Sequence, residues 1–199
     1  MIDEGVTKFT HSWHKQSVHF DNSVDDLIHW RHKLFVADLL GHDARHNVDF
    51  GNISIRDNKP DHFIITGTQT GHHEDFSRDH LSLVTSWSLE DNSLCSEGLV
   101  AASSESLSHA ALYASSIDVL AVVHTHSTPV WQQLKDNIPT TSQTIAYGTP
   151  AMAFELQRLL KESDLMQTGT AAMGGHEGGL ISIGKNIGEA AARALAIAS

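Results

Sequence analysis

A chain of 199 residues, 40% hydrophobic and 19% charged, is long enough for one domain with a sizeable core and ordinary for a soluble globular fold. Its formal net charge of -11, from 13 basic and 24 acidic residues, argues against nonspecific nucleic-acid binding, which relies on basic surface. No run approaches the roughly 18 apolar residues of a membrane span. Met1–Gly5 lack a secretory leader's pattern and the one cysteine, Cys95, has no partner for an internal disulfide, so a cytoplasmic setting is expected.

Residues 1–21 are polar, hold several aromatics and show no periodicity; they read as an extended arm packing on the domain or on a neighbouring subunit. A helix is predicted from Ser23, which can cap it, with Asp25 and Asp26 in its first turn and Gly41 at its end. Its apolar face comprises Val24, Leu27, Ile28, Leu34, Phe35, Val36, Leu39 and Leu40. Strands are predicted at 52–56, 63–66 and 81–84, with Asp57–Asp61 forming a hairpin turn between the first two. A helix over 104–114 precedes a strand at 118–124, and helices follow near 128–136 and 150–161, the latter with Pro150 at a first helical position. Strands near 170–174 and 180–183 and an alanine-rich helix over 189–197 close the chain. Antiparallel-looking strands with helices before and after them suggest a sheet covered by helices on both faces.

The most informative stretch is Val122-Val123-His124-Thr125-His126-Ser127. Residues i and i+2 of a strand share a face, so His124 and His126 would present two imidazoles to one metal ion. The bland alternative is a pair of surface histidines, in a chain that carries 15. Of these, His11, His14, His19, His29, His32, His42, His46, His62 and His80 sit at no coherent ligand spacing and read as background. His72-His73 is weak as a pair, because adjacent side chains point apart in extended chain.

Upstream, Ser103-Ser104-Glu105 at a helix start is by default a capping arrangement. The same free amides can bind an anion, and Glu105 beside a metal-bound substrate would be a general base. His109, one turn on, either orients Glu105 or serves as a ligand. Downstream, His176 lies in the glycine-dense loop Met173–Gly179; a catalytic zinc usually takes three protein ligands, and His176 is the best third candidate, with Glu177 as the alternative. Gly51-Asn52 and the loop Thr66–Gly71 offer amides and hydroxyls to an anion, although the loop lacks the Gly-Lys-Ser/Thr ending of a P-loop.

Gly51-Asn52-Ile53-Ser54-Ile55-Arg56, the Thr/Gly loop, Ser103-Ser104-Glu105, His124-Thr125-His126-Ser127 and His176 together resemble, in order and spacing, the class II aldolase/adducin family. The resemblance spans about residues 24–190 and makes residues 22–199 one domain of that type, preceded by the arm 1–21. It implies an α/β fold: a three-layer α/β/α sandwich with a mixed, largely antiparallel central sheet, assembled as a homotetramer with active sites between subunits. It further implies zinc or another divalent metal on His124, His126 and His176, with Glu105 as catalytic acid/base. Gly51, Asn52, Thr70, Gly71, Ser103 and Ser104 would hold the substrate phosphate. The expected activity is a metal-dependent, aldolase-type lyase acting on a small sugar, sugar-phosphate or hydroxy-carbonyl compound through a metal-stabilised enediolate. The alternatives are a dehydratase or epimerase on the same site, or a non-catalytic adducin-like binding module. Three departures stand out: the third histidine lies in Gly-His-Glu-Gly, the Thr66–Gly71 wording is unusual, and neither tyrosine (Tyr113, Tyr147) lies in a C-terminal tail.

Overall fold

The computed structural model describes residues 6–44 and 47–198; Met1–Gly5 and His46, both read above from sequence, lie outside the described residues. In chain order the elements are β1 (Thr10–Lys15), α1 (Ser23–Val36), β2 (Gly41–Asp43), β3 (Val48–Phe50), β4 (Asn52–Arg56), β5 (Phe63–Thr66), β6 (Leu81–Ser88) and β7 (Ser93–Gly98). They continue as α2 (Ser106–Ser115), β8 (Ala121–His126), α3 (Thr128–Leu134), α4 (Pro150–Glu162), α5 (Leu165–Thr168), β9 (Thr170–Ala172), β10 (Gly179–Gly184) and α6 (Ile187–Ala198). Among the described residues, eight strands form one sheet in the order β1-β7-β6-β5-β4-β8-β10-β9, and β2 and β3 form a separate ribbon. Within the sheet only β1–β7 is a parallel pair of strands.

The alternation of side chains across the pleat divides the core into two layers. Ile53, Ile55, Ala121 and Val123 face Leu27 and Leu34 of α1 and Ala190, Ala191 and Ala194 of α6. Phe63, Ile65, Val122 and Ile181 face Leu107 and Leu112 of α2 and Met152, Leu156 and Leu159 of α4. Helices on both faces of a mixed, mainly antiparallel sheet make the expected α/β/α sandwich.

Several elements differ from expectation. Thr10–Lys15 of the arm adds a strand to the sheet's edge, and its exposed, His- and Lys-bearing sequence carries no alternation to announce it. Helix α1 stops at Val36 rather than Gly41, because Asp38 takes a left-handed φ of 61° and turns the chain. Leu39 and Leu40 still reach the core, but from that turn, and Gly41 opens β2. Ser23 is not the cap: Asn22 holds that position, and the Ser23 N–H goes to Asp21 Oδ1 at 2.9 Å. Helix α4 starts as predicted, with Pro150 in its first turn and the Thr149 hydroxyl accepting from the Met152 N–H.

One polar cluster ties sheet to helix inside the core. Ser54 Oγ on β4 lies 2.7 Å from His109 Nδ1 and 2.6 Å from the Tyr113 hydroxyl, both on α2. Burial pushes His109 down to about 3 and raises the Tyr113 hydroxyl above its ordinary value. His109 is therefore neutral when folded but titrates near 6.5 when unfolded. Between those values the unfolded chain binds the extra proton, so stability is lost as pH falls below 6.5, by up to about 1.4 kcal/mol per pH unit, and nothing is lost above it. A His109→Gln variant should show a shallower loss of urea-unfolding free energy between pH 6.5 and about 5. Equal slopes would mean that His109 is already protonated in the native state.

Candidate metal centre

Strand β8 lies between β4 and β10, and its register sets the site. His124 stands opposite Asn52 on one side and Ile181 on the other, while His126 stands opposite Gly179. By strand alternation His124 and His126 share the face of Val122, the face covered by α2 and α4. The third imidazole comes from the loop between β9 and β10. There the His176 N–H bonds the Met173 carbonyl at 3.1 Å, and the Gly179 N–H closes the loop onto the His176 carbonyl at 2.8 Å. Trp131 Nε1 donates to the Met173 carbonyl at 2.9 Å and the Gly174 N–H to Thr141 Oγ1 at 2.8 Å, pinning the loop to its surroundings. The Tyr147 ring stacks on His176 at 4.4 Å between centroids.

The three rings converge. His126 Nε2 and His176 Nε2 are 2.9 Å apart, and one ring nitrogen from each of His124, His126 and His176 falls within 4.8 Å of the others. The His124 Nδ1–H donates to the Leu180 carbonyl at 3.1 Å, which fixes the ring orientation and turns Nε2 inward. Burial, then the neighbouring His176 and His124 rings, hold His126 well below the usual histidine range, so it stays neutral. Neutral imidazole, the form His126 takes here, is the one in which histidine binds a divalent metal.

Glu105, just ahead of α2, completes the group. Its Oε2 lies 2.8 Å from His124 Nε2 and its Oε1 3.3 Å from His176 Nδ1, and Asn52 Nδ2 donates to Oε2 at 3.1 Å. Burial alone would raise the Glu105 carboxyl, but the two imidazoles outweigh it and hold the group well below the carboxylate range. Glu105 thus remains an anion at neutral pH despite being almost fully enclosed.

The sequence-selected polar residues come together as well. Gly51, Asn52, Thr70, Gly71, Ser103 and Ser104 line one cavity with Glu105. Ser103 Oγ accepts the Glu105 N–H at 3.3 Å, and Ser104 is not a cap, since Glu105 itself occupies that position. His109 stays outside the group, with Nδ1 turned to Ser54, and Glu177 is exposed while His176 is buried. Thr68 and Gln69 of the selected Thr66–Gly71 loop line the cavity too, as does Asp49, which was not selected from sequence because a lone Asp in a three-residue strand carries no signal of its own. Trp131, Thr141 and Tyr147 were missed for the same reason, because each acts by packing against a loop distant in sequence.

A sequence profile for the Class II Aldolase and Adducin N-terminal domain matches residues 36–199. The chain belongs to that family. Among solved structures it is similar to an L-fuculose 1-phosphate aldolase at 16% identity, with 90% of this chain and 84% of that one covered and a TM-score of 0.66. An L-fuculose-1-phosphate aldolase from Thermus thermophilus is similar at 17% identity, covering 89% of each chain, TM-score 0.64. A sugar-phosphate aldolase from Thermotoga maritima reaches a TM-score of 0.68 at 14% identity, over 89% of this chain and 90% of that one. No curated protein sequence matches the chain significantly. At these identities the solved structures establish the shared fold.

Gly51 is a point where the family-like segment meets a backbone requirement. Its φ is +77°, and an added Cβ would collide with Leu40 Cδ2 and come within 3.1 Å of the His124 carbonyl oxygen. Gly51→Ala should therefore cost about 1–3 kcal/mol. At about 2–4 °C per kcal/mol for a chain of this length, the thermal midpoint should fall by several degrees. An unchanged midpoint in a thermal melt would show that this turn relaxes freely.

Proposed function

We propose that the protein is a metal-dependent, aldolase-type lyase acting on a small sugar or sugar-phosphate, with a zinc or similar divalent ion on His124, His126 and His176. The observation that carries this reading is the convergence of three imidazoles and one buried carboxylate beside a cavity of backbone amides, hydroxyls and an amide side chain. Three protein nitrogens leave an open coordination position, the arrangement of a catalytic rather than a structural zinc site. Family membership and the printed activities of the similar structures point the same way.

When bound, such an ion polarises a substrate carbonyl as a Lewis acid and stabilises the negative charge that develops on its oxygen. Glu105 supplies the proton traffic: its Oε atoms stand against the inward nitrogens of His124 and His176, so the carboxylate can take or return a proton at the carbon next to that carbonyl. Asn52 holds Oε2 in place from the adjacent strand. Gly51, Thr70, Gly71, Ser103 and Ser104 are the groups available to orient the far end of the substrate, through neutral donors rather than charged side chains. The homotetrameric assembly and cytoplasmic setting belong to the same proposal, supported by family membership and the lone Cys95. Among the described residues no helix is long and apolar enough to cross a membrane.

Two variants separate the roles. His126→Ala should lose the ion bound at this centre, read as metal content after gel filtration; full retention would sink the ligand assignment. Glu105→Gln should keep the ion and lose the exchange of the substrate's α-proton with solvent, by about 100-fold or more. Exchange at the wild-type rate in that variant would require another base. A screen of phosphorylated and free keto-sugars for retro-aldol cleavage and dehydration identifies the reaction, and silence across it with metal bound would favour the binding-module alternative.

A further inference from the structure

We infer that His42, Asp49 and His72 form a second divalent-metal site at the rim of the same cavity, suited to zinc or a comparable borderline ion. The residues come from separate segments that the fold brings together. In the β2–β3 ribbon His42 pairs directly with Asp49, which places both side chains on one face. His72 arrives from the turn after β5. Gly71 permits that approach, since a Cβ there would collide with the Gly41 carbonyl oxygen and press on Asp49 Cβ at 3.1 Å.

The Asp49 carboxylate is the floor of the site, with its side chain 4% exposed. His42 Nδ1 lies 2.6 Å from Oδ1, His72 Nδ1 lies 2.7 Å from Oδ2, and the His72 N–H donates to Oδ2 at 3.2 Å. The three potential ligand atoms all fall within 4.8 Å of one another. A buried carboxylate is stabilised by hydrogen bonds and by positive charge beside it. The Arg31 guanidinium interacts with Asp49 electrostatically but directs its N–H groups at the carbonyls of Thr70, Gly71 and His73 rather than at the carboxylate.

A divalent ion would place such a charge in direct contact with the carboxylate. Zinc-ligand distances of about 2.0–2.2 Å set tetrahedral donor atoms roughly 3.4 Å apart. The two imidazoles would move outward by somewhat less than about 1 Å and carry their proton on Nε2. Both can do so, because the side chains of His42 and His72 are 34% and 51% exposed. Two nitrogens and one carboxylate oxygen favour zinc, nickel, cobalt or iron over magnesium or calcium. Asp49 also lines the cavity containing Glu105, and no lysine or arginine lines it among the described residues, so the ion would add the positive charge that the lining lacks. The site shares no ligand with the His124–His126–His176 group and does not rest on the function proposed for it.

The test is a zinc titration of the metal-free, full-length protein, with metal content measured after gel filtration to remove loosely held ions. Wild type should retain about two zinc ions per chain. His72→Ala and His42→Ala, both exposed positions, should each retain one fewer, with near-ultraviolet circular dichroism confirming the native fold. His126→Ala should lose the other ion and keep this one. Wild type retaining a single ion that disappears in His126→Ala, or His72→Ala and His42→Ala retaining the full complement, would overturn the second site. An ion lost in His72→Ala but unaffected by His126→Ala would uphold it and instead refute the first assignment.

Discussion

The pairing of β8 between β4 and β10 governs the rest of the site. Strand side chains alternate, so a one-residue slip would turn His124 and His126 into the α1/α6 layer and bring Val123 and Thr125 to the cavity. The register holds because the opposite face is filled: Ala121 and Val123 are fully buried against α1 and α6, and no imidazole could replace them without leaving its nitrogens unpaired. Hydrophobic packing on one side of the sheet thus fixes polar chemistry on the other. The same register brings Asn52 alongside His124, where its amide reaches Glu105.

A repeated electrostatic device runs through this acidic chain. Two carboxylates enter one cavity, and each is held between a pair of imidazoles: Glu105 by His124 and His176, Asp49 by His42 and His72. In both cases the carboxylate is nearly enclosed, so desolvation favours the neutral acid and the adjacent nitrogens offset it. The difference lies in access. The Glu105 group sits under the loop carrying His176, locked by Trp131 and Thr141, whereas the Asp49 pair opens to solvent.

Long apolar or periodic segments were legible in the sequence. Helix α4, strands β4, β5 and β10, and the His-bearing strand β8 all follow from spacing and turn chemistry, and the α/β/α arrangement follows from their sequence of types. Strand β7 was missed because Leu94 is its only large apolar residue, and β2 and β3 because three residues carry no period. Helix α1 was drawn too long because Leu39 and Leu40 continue its apolar face past the point where Asp38 reverses the backbone. His42 and His72, set aside as background or as half of a weak pair, have a shared partner in Asp49.

By itself the sequence determined which residues could carry chemistry: the two same-face histidines, the glycine-bound His176, Glu105 at a helix start, and a family-like order among them. These are local signals, since strand alternation and helix entry act over a few residues. The tertiary structure alone decided which of them meet. Asn52 and Glu105 stand 53 positions apart, and His126 and His176 stand 50 apart. Contacts over such separations depend on strand order and on how loops pack, and neither leaves a mark in the spacing of the chain.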